Sequence, residues 1–297
     1  MSLTIGKKSL GSKLFDLCNV VLLTIFAVTC VYPFLNVISV SFSTPSASNT
    51  FGLRLWPEQF TLEGYKMVLS NKYIWTGYYN TLFRTLVGTL LNVIFSVLCA
   101  YPLSKKYLPN RNVWTLLIIF TMFFSGGLIP NYLLISELGL MDSRWSLILP
   151  GLIAPFTMII VRNYFMSLPA EVEESAKIDG AGDLRILFRI VLPMSLPIIA
   201  TISLWYAVAH WNAWFDSLLY IRDPDKTVLG TVLRKIVIEG SQQFEQYEQA
   251  FNKDAANVNP SIIKAATIMV ATIPIIRVYP FIQKYFVKGI MIGSLKG

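Results

Sequence analysis

LPAEVEESAKIDGAGDLRILFRIVLPMSLP, residues 168–197, is the stretch on which the fold turns. It is too polar to cross a bilayer and too regularly patterned for a plain linker. Pro169 can open a helix whose first turn holds Glu171, Glu173 and Glu174, where carboxylates suit the positive end of the helix dipole, and Ala176 continues it. Asp179-Gly180 breaks that helix, because glycine reaches positive φ at no steric cost. A second helix follows with Leu184, Leu187, Phe188 and Val191 along one apolar face, and Pro193 starts the next apolar run. The pattern predicts a helix–turn–helix at a membrane surface, acidic in its first arm and greasy in its second, shaped to dock in a partner's groove.

Outward from this stretch the chain is apolar. Of 297 residues, 54% are hydrophobic and 14% charged, with a mean hydropathy of +0.56. One soluble core could not bury that much apolar surface. A spanning helix needs about 20 mostly apolar residues, and six runs supply them: 14–41, 78–103, 113–135, 145–165, 194–220 and 262–286. The first follows Lys7, Lys8 and Lys13 but is longer than the apolar part of a secretory signal, so it reads as an uncleaved span behind a short inner segment, residues 1–13. The expected fold class is all-α: a polytopic membrane domain, residues 14–297, with the hairpin 168–197 on the cytoplasmic side.

A net charge of +8 raises the question of nucleic acid. The basic residues are spread over loops rather than gathered on one face with interleaved aromatics, so nucleic acid is not an expected partner. They serve orientation instead. With both termini inside, Lys105, Lys106, Arg111, Arg162, Lys177, Arg185 and Arg189 give the inner loops a weak Lys/Arg excess. The turn after Tyr101-Pro102 reads as topological only. Cys18, Cys30 and Cys99 fall in apolar runs without paired spacing and read as small core residues. The two long polar segments, 44–72 and 222–261, lie on the outer side, and FEQYEQAF (244–251) has the pattern of a short amphipathic or solvated helix.

The order Glu174-Ser175-Ala176, Asp179-Gly180-Ala181, Phe188, Ile190, Leu192-Pro193 and Pro197 resembles the EAA loop of ATP-binding-cassette import permeases. Ser175 stands where that family usually has alanine, and both are small enough for close helix approach. The resemblance extends to HWNAWF (210–215) and QKYFVKGIMIGSLKG (283–297), which are similar to sugar permeases of the maltose-transporter type. FFSGGLIPNYLL (123–134) is similar to an oligosaccharide and polysaccharide subgroup that includes an alginate importer.

The resemblance implies a type I importer permease fold in a bacterial inner membrane. It implies that the loop seats in a groove on a separate ATPase, with Glu174 pairing with a basic ATPase residue, Gly180 setting the turn, and Leu184, Leu187 and Phe188 facing the partner. It further implies a second permease, two ATPase subunits and an extracytoplasmic solute-binding protein that delivers carbohydrate. No G-x-x-x-x-G-K-[ST] phosphate loop occurs in the chain, so ATP and Mg are expected on the partner ATPase and no cofactor or metal on this chain.

For the substrate pathway, Tyr206, His210 and Trp214 recur every four residues and would share one helix face able to stack sugar rings and bond hydroxyls, with Trp211 and Asn212 alongside. An aromatic belt and a packing histidine are the structural alternatives. Asn131 and Tyr132 sit beside Pro130 on a helix interrupted at Gly126-Gly127, where irregular backbone lines either protein or a cavity. Arg84 and Arg277 lie within spans and read as structural ion-pair members. A secondary carrier is the alternative function, although no carboxylate lies mid-span to couple an ion. An intramembrane enzyme is disfavoured by a single histidine and the lack of any HExxH or nucleophile constellation.

Overall fold

The computed structural model describes residues 10–44, 55–57, 59–237 and 259–294, with backbone alone for Leu10 and for 278–294. The segment 244–251 and the last residues of the 283–297 motif lie outside the described residues. The chain is nearly all helical, with no strand among the described residues beyond one isolated antiparallel bridge, Ser43 to Phe60. It resolves into two compact units: 1–71 with 240–272, and 72–239 with 273–297.

The first unit holds α1 (Leu10–Ser41), α2 (Glu63–Ser70) and the first part of α12 (Pro260–Ser294). Leu14, Phe15, Val20, Leu22, Phe26 and Phe34 of α1 are each more than half exposed. In water that surface would be unfavourable by roughly 25 cal/mol per Å2, whereas in lipid it is at rest. Cys18 and Cys30 lie exposed on this helix and are not core residues, whereas Cys99 is half-buried and packs against the core of the second unit. Past the helix end, Phe42 stacks on Phe60 and meets Tyr65 at a tilt, and Ser41 shares a 2.8 Å hydrogen bond with the Tyr65 hydroxyl. Gly64 lets α2 lie directly on Ile262 of α12.

The second unit is built around α3 (Lys72–Ser104), which begins earlier than the predicted 78. Around it pack α6 (Pro155–Met166), α9 (Leu196–Asn212) and α11 (Leu229–Val237). The core joins Val97, Ala100 and Leu103 of α3 to Met158, Val161 and Phe165 of α6 and Ile202 of α9, and Ile186, Leu187 and Val191 close it from the hairpin side. A smaller cluster gathers Ile135, Leu147, Tyr220, Ile221 and Val228.

By length and composition α1, α3 and Pro260–Arg277 of α12 can each cross a bilayer unbroken, and three bent helix pairs meet the same criteria jointly, for up to six spans among the described residues. The run 113–135 is therefore not one straight helix. It divides into α4 (Arg111–Phe123) and α5 (Leu128–Glu137), bent by 111°. Gly127, at φ 88° and ψ −180°, occupies a backbone region that is essentially glycine-only, which is why the chain turns there. Arg144–Gly151 meets α6 at 50°, where Pro150 and Pro155 occupy the starts of successive helical segments. The run 194–220 is likewise divided. α8 (Asp183–Met194) meets α9 at 85°, α9 ends at Asn212, and Phe215–Tyr220 forms a separate α10.

Candidate coupling hairpin and translocation face

The first arm of the hairpin, α7 (Ala170–Ile178), carries Glu171 and Glu173 in its first turn and Lys177 in its last, both complementing the helix dipole. It closes with a paired C-terminal motif: Ala181 N–H donates to Ala176 O, and Gly180 N–H to Lys177 O, both at 3.0 Å. Gly180 sits at φ 78° with open space where a side chain would be, so the requirement for glycine there is conformational rather than steric. Ala176 and Ala181, the two residues whose contact accompanies such a motif, both pack against the core.

The second arm, α8, contains a π-helical turn over Leu187–Val191. The single apolar face expected from the sequence is split across this arm. Leu187 and Val191 are buried with Ile186 in the subunit's own core, while Leu184 (65% exposed) and Phe188 (55%) face outward. Leu187 therefore packs within the chain and is not on the outward surface. Ile178, which sequence reasoning passed over, joins Leu184 and Phe188 as an exposed apolar side chain. Glu174, Ser175 and Asp179 are exposed as well, with the Ser175 hydroxyl bonded back to Glu171 O at 2.8 Å.

The turn after α3 is more than topological. Lys105 forms a largely buried ion pair with Glu173 and lies 4.2 Å from the Tyr101 ring centroid. Tyr107 donates to the Asp183 carboxylate at 2.9 Å, and Lys177 sits 4.2 Å over the Tyr107 ring and 3.6 Å from Asp183. Both arms of the hairpin are thus tied to residues 101–108. Nothing in a single sequence pairs Lys105 with Glu173 across so long a separation.

The predicted translocation face is taken apart by the structure. Tyr206 and His210 share a face of α9, but that face is buried against α3. Trp214 lies beyond the helix end, so it does not continue the four-residue series. Trp211 is half-buried and Asn212 exposed; Asn131 is exposed, and Tyr132 stacks on Tyr220 at 6.2 Å. Arg277 is exposed and has no ion pair among the described residues.

On its packed face α3 carries a ladder at a strict four-residue period, Asn80, Arg84, Gly88, Asn92 and Ser96, all buried, with Gly88 making room for the His210 ring. Asn80 donates to the carbonyls of Asp225 (2.8 Å) and Thr227 (3.0 Å) and accepts from Arg144 Nε at 2.8 Å. Arg84 makes a two-pronged ion pair with Asp216 and also reaches Ala213 O at 3.3 Å. Its Nε donates to His210 Nδ1 at 3.3 Å, so the ring's proton is on Nε2, which donates to Asn92 Oδ1 at 3.1 Å. Asn92 in turn donates to Gly151 O at 2.8 Å, and Ser96 shares a 2.7 Å bond with the Tyr206 hydroxyl. A charge inside a span is tolerated only when it is paired, and here Arg84 is paired as the sequence suggested. The ladder also holds the break at Ala213-Trp214 against α3, supplying donors to carbonyls that the helix end leaves open. Its four-residue period is visible in the sequence, but it is masked there by the apolar residues between the rungs.

Residues 74–292 match the family described as "Binding-protein-dependent transport system inner membrane component". The polygalacturonan/rhamnogalacturonan transport system permease protein YtcP of Bacillus subtilis is 44% identical over 96% of this chain and 99% of its own. Protein LplC of the same organism is 43% identical over 97% and 96%. A bacterial ABC transporter involved in import of the acidic polysaccharide alginate contains a chain that superposes with a TM-score of 0.87 at 35% identity, over 94% of this chain and 99% of that one. Apolar spans, a polar hairpin anchored between them and agreement over nearly the whole length converge, and the chain belongs to the inner-membrane components of binding-protein-dependent transport systems.

Proposed function

We propose that this chain is the permease subunit of an ATP-driven importer, forms part of the passage for an oligosaccharide, and receives the work of ATP hydrolysis through residues 168–197. The observation that carries the coupling role is a hairpin anchored through both arms and greasy on its outer surface. Ile178, Leu184 and Phe188 are exposed around the acidic Glu174, while the Glu173–Lys105 and Asp183–Tyr107 contacts fix the arms to the second unit. An apolar patch that a monomer leaves open is a docking surface, and a fixed base lets a push on that patch reach α3 and α9 undamped. Glu174 supplies the charge for a basic groove, and Ser175, Ala176 and Ala181 keep the arms close.

In this reading the hairpin and both termini are cytoplasmic within the domain 14–297. A second permease completes the pathway, two ATPase subunits bind ATP and Mg, and a solute-binding protein meets the outer loops. This chain itself catalyses no reaction. The saccharide cargo is supported by the names of the relatives, which carry polygalacturonan, rhamnogalacturonan and alginate.

The test is affinity capture of the tagged chain from its native membrane in mild detergent, wild type against a Glu174→Arg, Gly180→Pro double variant. The wild type should bring down an ATPase and a second permease, and the variant should lose the ATPase but keep the permease. Capture of the chain alone, together with ATP-independent uptake after reconstitution, would replace this reading with that of a secondary carrier.

A further inference from the structure

The break between α9 and α10 places Trp214 under the guanidinium of Arg234 from α11, 4.3 Å from the carbon to the ring centroid. The indole is held from its backbone. Its carbonyl accepts from Thr231 Oγ1 at 2.8 Å and from Leu218 N–H at 3.1 Å, and Gly230 approaches so closely that an added Cβ would lie 3.0 Å from Trp214 Cβ. Phe215 stands edge-on to the indole at 5.6 Å and 84°, and is itself 47% exposed.

Several cations of this unit meet an acidic or amide partner, whereas Arg234 Nε, like Arg111 Nη1, is buried without one. Arg84 is met by Asp216, Lys72 by Asp225, Lys226 by Asp142 and Asp223, and Arg144 by the Asn80 amide. Arg234 has no carboxylate partner among the described residues, and its Nε is buried with no hydrogen-bond partner. A guanidinium laid flat on an indole still presents its N–H edge, and that planar fork matches a carboxylate.

We infer that Arg234, Trp214 and Phe215 form a subsite for the carboxylate of an acidic oligosaccharide, a chain of uronic acid residues. The carboxylate lies in the plane of the Arg234 fork, and the C–H face of the sugar ring lies against the aromatic pair. The subsite rests on the importer reading above and adds the charge of the cargo to it. The electrostatic and apolar parts belong together: a neutral sugar satisfies only the aromatic surface and leaves the cation unmatched.

The test uses the complete transporter, with its own second permease, ATPases and binding protein, in proteoliposomes. The probes are a galacturonate tetramer and its methyl ester, which keeps the rings and removes the charge. The readout is the ratio of their uptake rates. Charge-assisted hydrogen bonding predicts a ratio of roughly ten in favour of the acid for the wild type, falling toward one in Arg234→Gln. Arg234→Lys retains a cation and should hold the ratio well above one. A wild-type ratio of one overturns the subsite whatever the variants do, and so does a ratio that Arg234→Gln leaves unchanged. Because it is a ratio, a general loss of assembly in a variant does not imitate the effect, and the Lys variant and wild type decide the matter if the Gln variant fails to fold. Equal carriage of the two probes removes the subsite and leaves the oligosaccharide reading standing. Carriage of neither by a transporter whose ATPase is bound removes both.

Discussion

Gly88→Ala is the sharpest probe of the ladder inside the second unit, because two effects of opposite sign compete at that residue. Helix propensity alone favours alanine by about 1 kcal/mol. Against it, a Cβ at position 88 would lie 2.5 Å from His210 Nε2, 2.8 Å from Cε1 and 2.9 Å from Cδ2. The ring cannot swing aside freely, since Arg84 holds Nδ1 and Asn92 holds Nε2. Staying in place means overpacking, at about 1–3 kcal/mol. Moving away means losing two buried hydrogen bonds, at about 1 kcal/mol each, and leaving their partners unsatisfied. An approach of 2.5 Å puts the cost near the upper end of the overpacking range, so after the propensity gain the net destabilisation is about 2 kcal/mol, lowering the midpoint by about 3 °C in a protein of this size. The assay is the apparent midpoint in detergent, read as the surviving monodisperse peak on size exclusion after heating. The cost should largely disappear in a His210→Ala background, where the methyl group has room, giving strong non-additivity. A midpoint at or above wild type for Gly88→Ala alone would refute the close approach of α3 and α9 through this ladder.

Three further outcomes follow from named contacts. Glu173→Gln leaves Lys105 charged and largely buried, a loss of about 3 kcal/mol; the hairpin should become sensitive to limited proteolysis, and the exchange Lys105→Glu with Glu173→Lys should restore part of the protection. Gly180→Val places a β-branched residue at φ 78°, unfavourable by about 1–2 kcal/mol; hydrogen exchange should quicken over 176–184 while α6 stays protected, and unchanged exchange there would count against the left-handed turn. Asp142, in the loop after α5, has its carboxyl held below the ordinary carboxylate range, chiefly by the Asp223 backbone N–H, then by that of Arg222 and by Lys226, against some desolvation. A depressed carboxylate contributes stability above its unfolded pKa of about 3.9 that is lost as pH falls through the folded value. Thermal midpoints below about pH 4 should therefore drop less steeply in Asp142→Asn than in wild type.

Most of the architecture was legible because membrane-spanning helices are written as length and hydropathy, properties a single sequence displays directly. The turn at Gly180 was legible for a local reason: an acidic helix start followed by Asp-Gly has few other conformations. What was missed depends on separations a sequence does not express. Around the π turn at Leu187–Val191 the apolar residues of α8 divide, with Leu187 and Val191 inward and Leu184 and Phe188 outside. The four-residue series Tyr206, His210, Trp214 assumed a helix that ends at Asn212. The partner of the series was equally periodic on α3, yet a buried polar ladder and a sugar-lined channel have the same signature until the opposing helix is seen. The turn at 101–108 looked idle because its ion-pair partner lies far along the chain, at Glu173.

The bend between α4 and α5 has a consequence for the bilayer itself. The thirteen residues of α4 reach only about 20 Å at 1.5 Å per residue, short of the roughly 30 Å hydrocarbon slab. At its end Phe123 is 84% exposed, followed at once by the irregular backbone of Ser125-Gly126-Gly127. Uncovered peptide groups at that depth are not tolerated by acyl chains. Either lipid thins locally around this corner or protein or water meets it, and the activity of the assembly should consequently depend on acyl length, declining as the surrounding membrane is thickened.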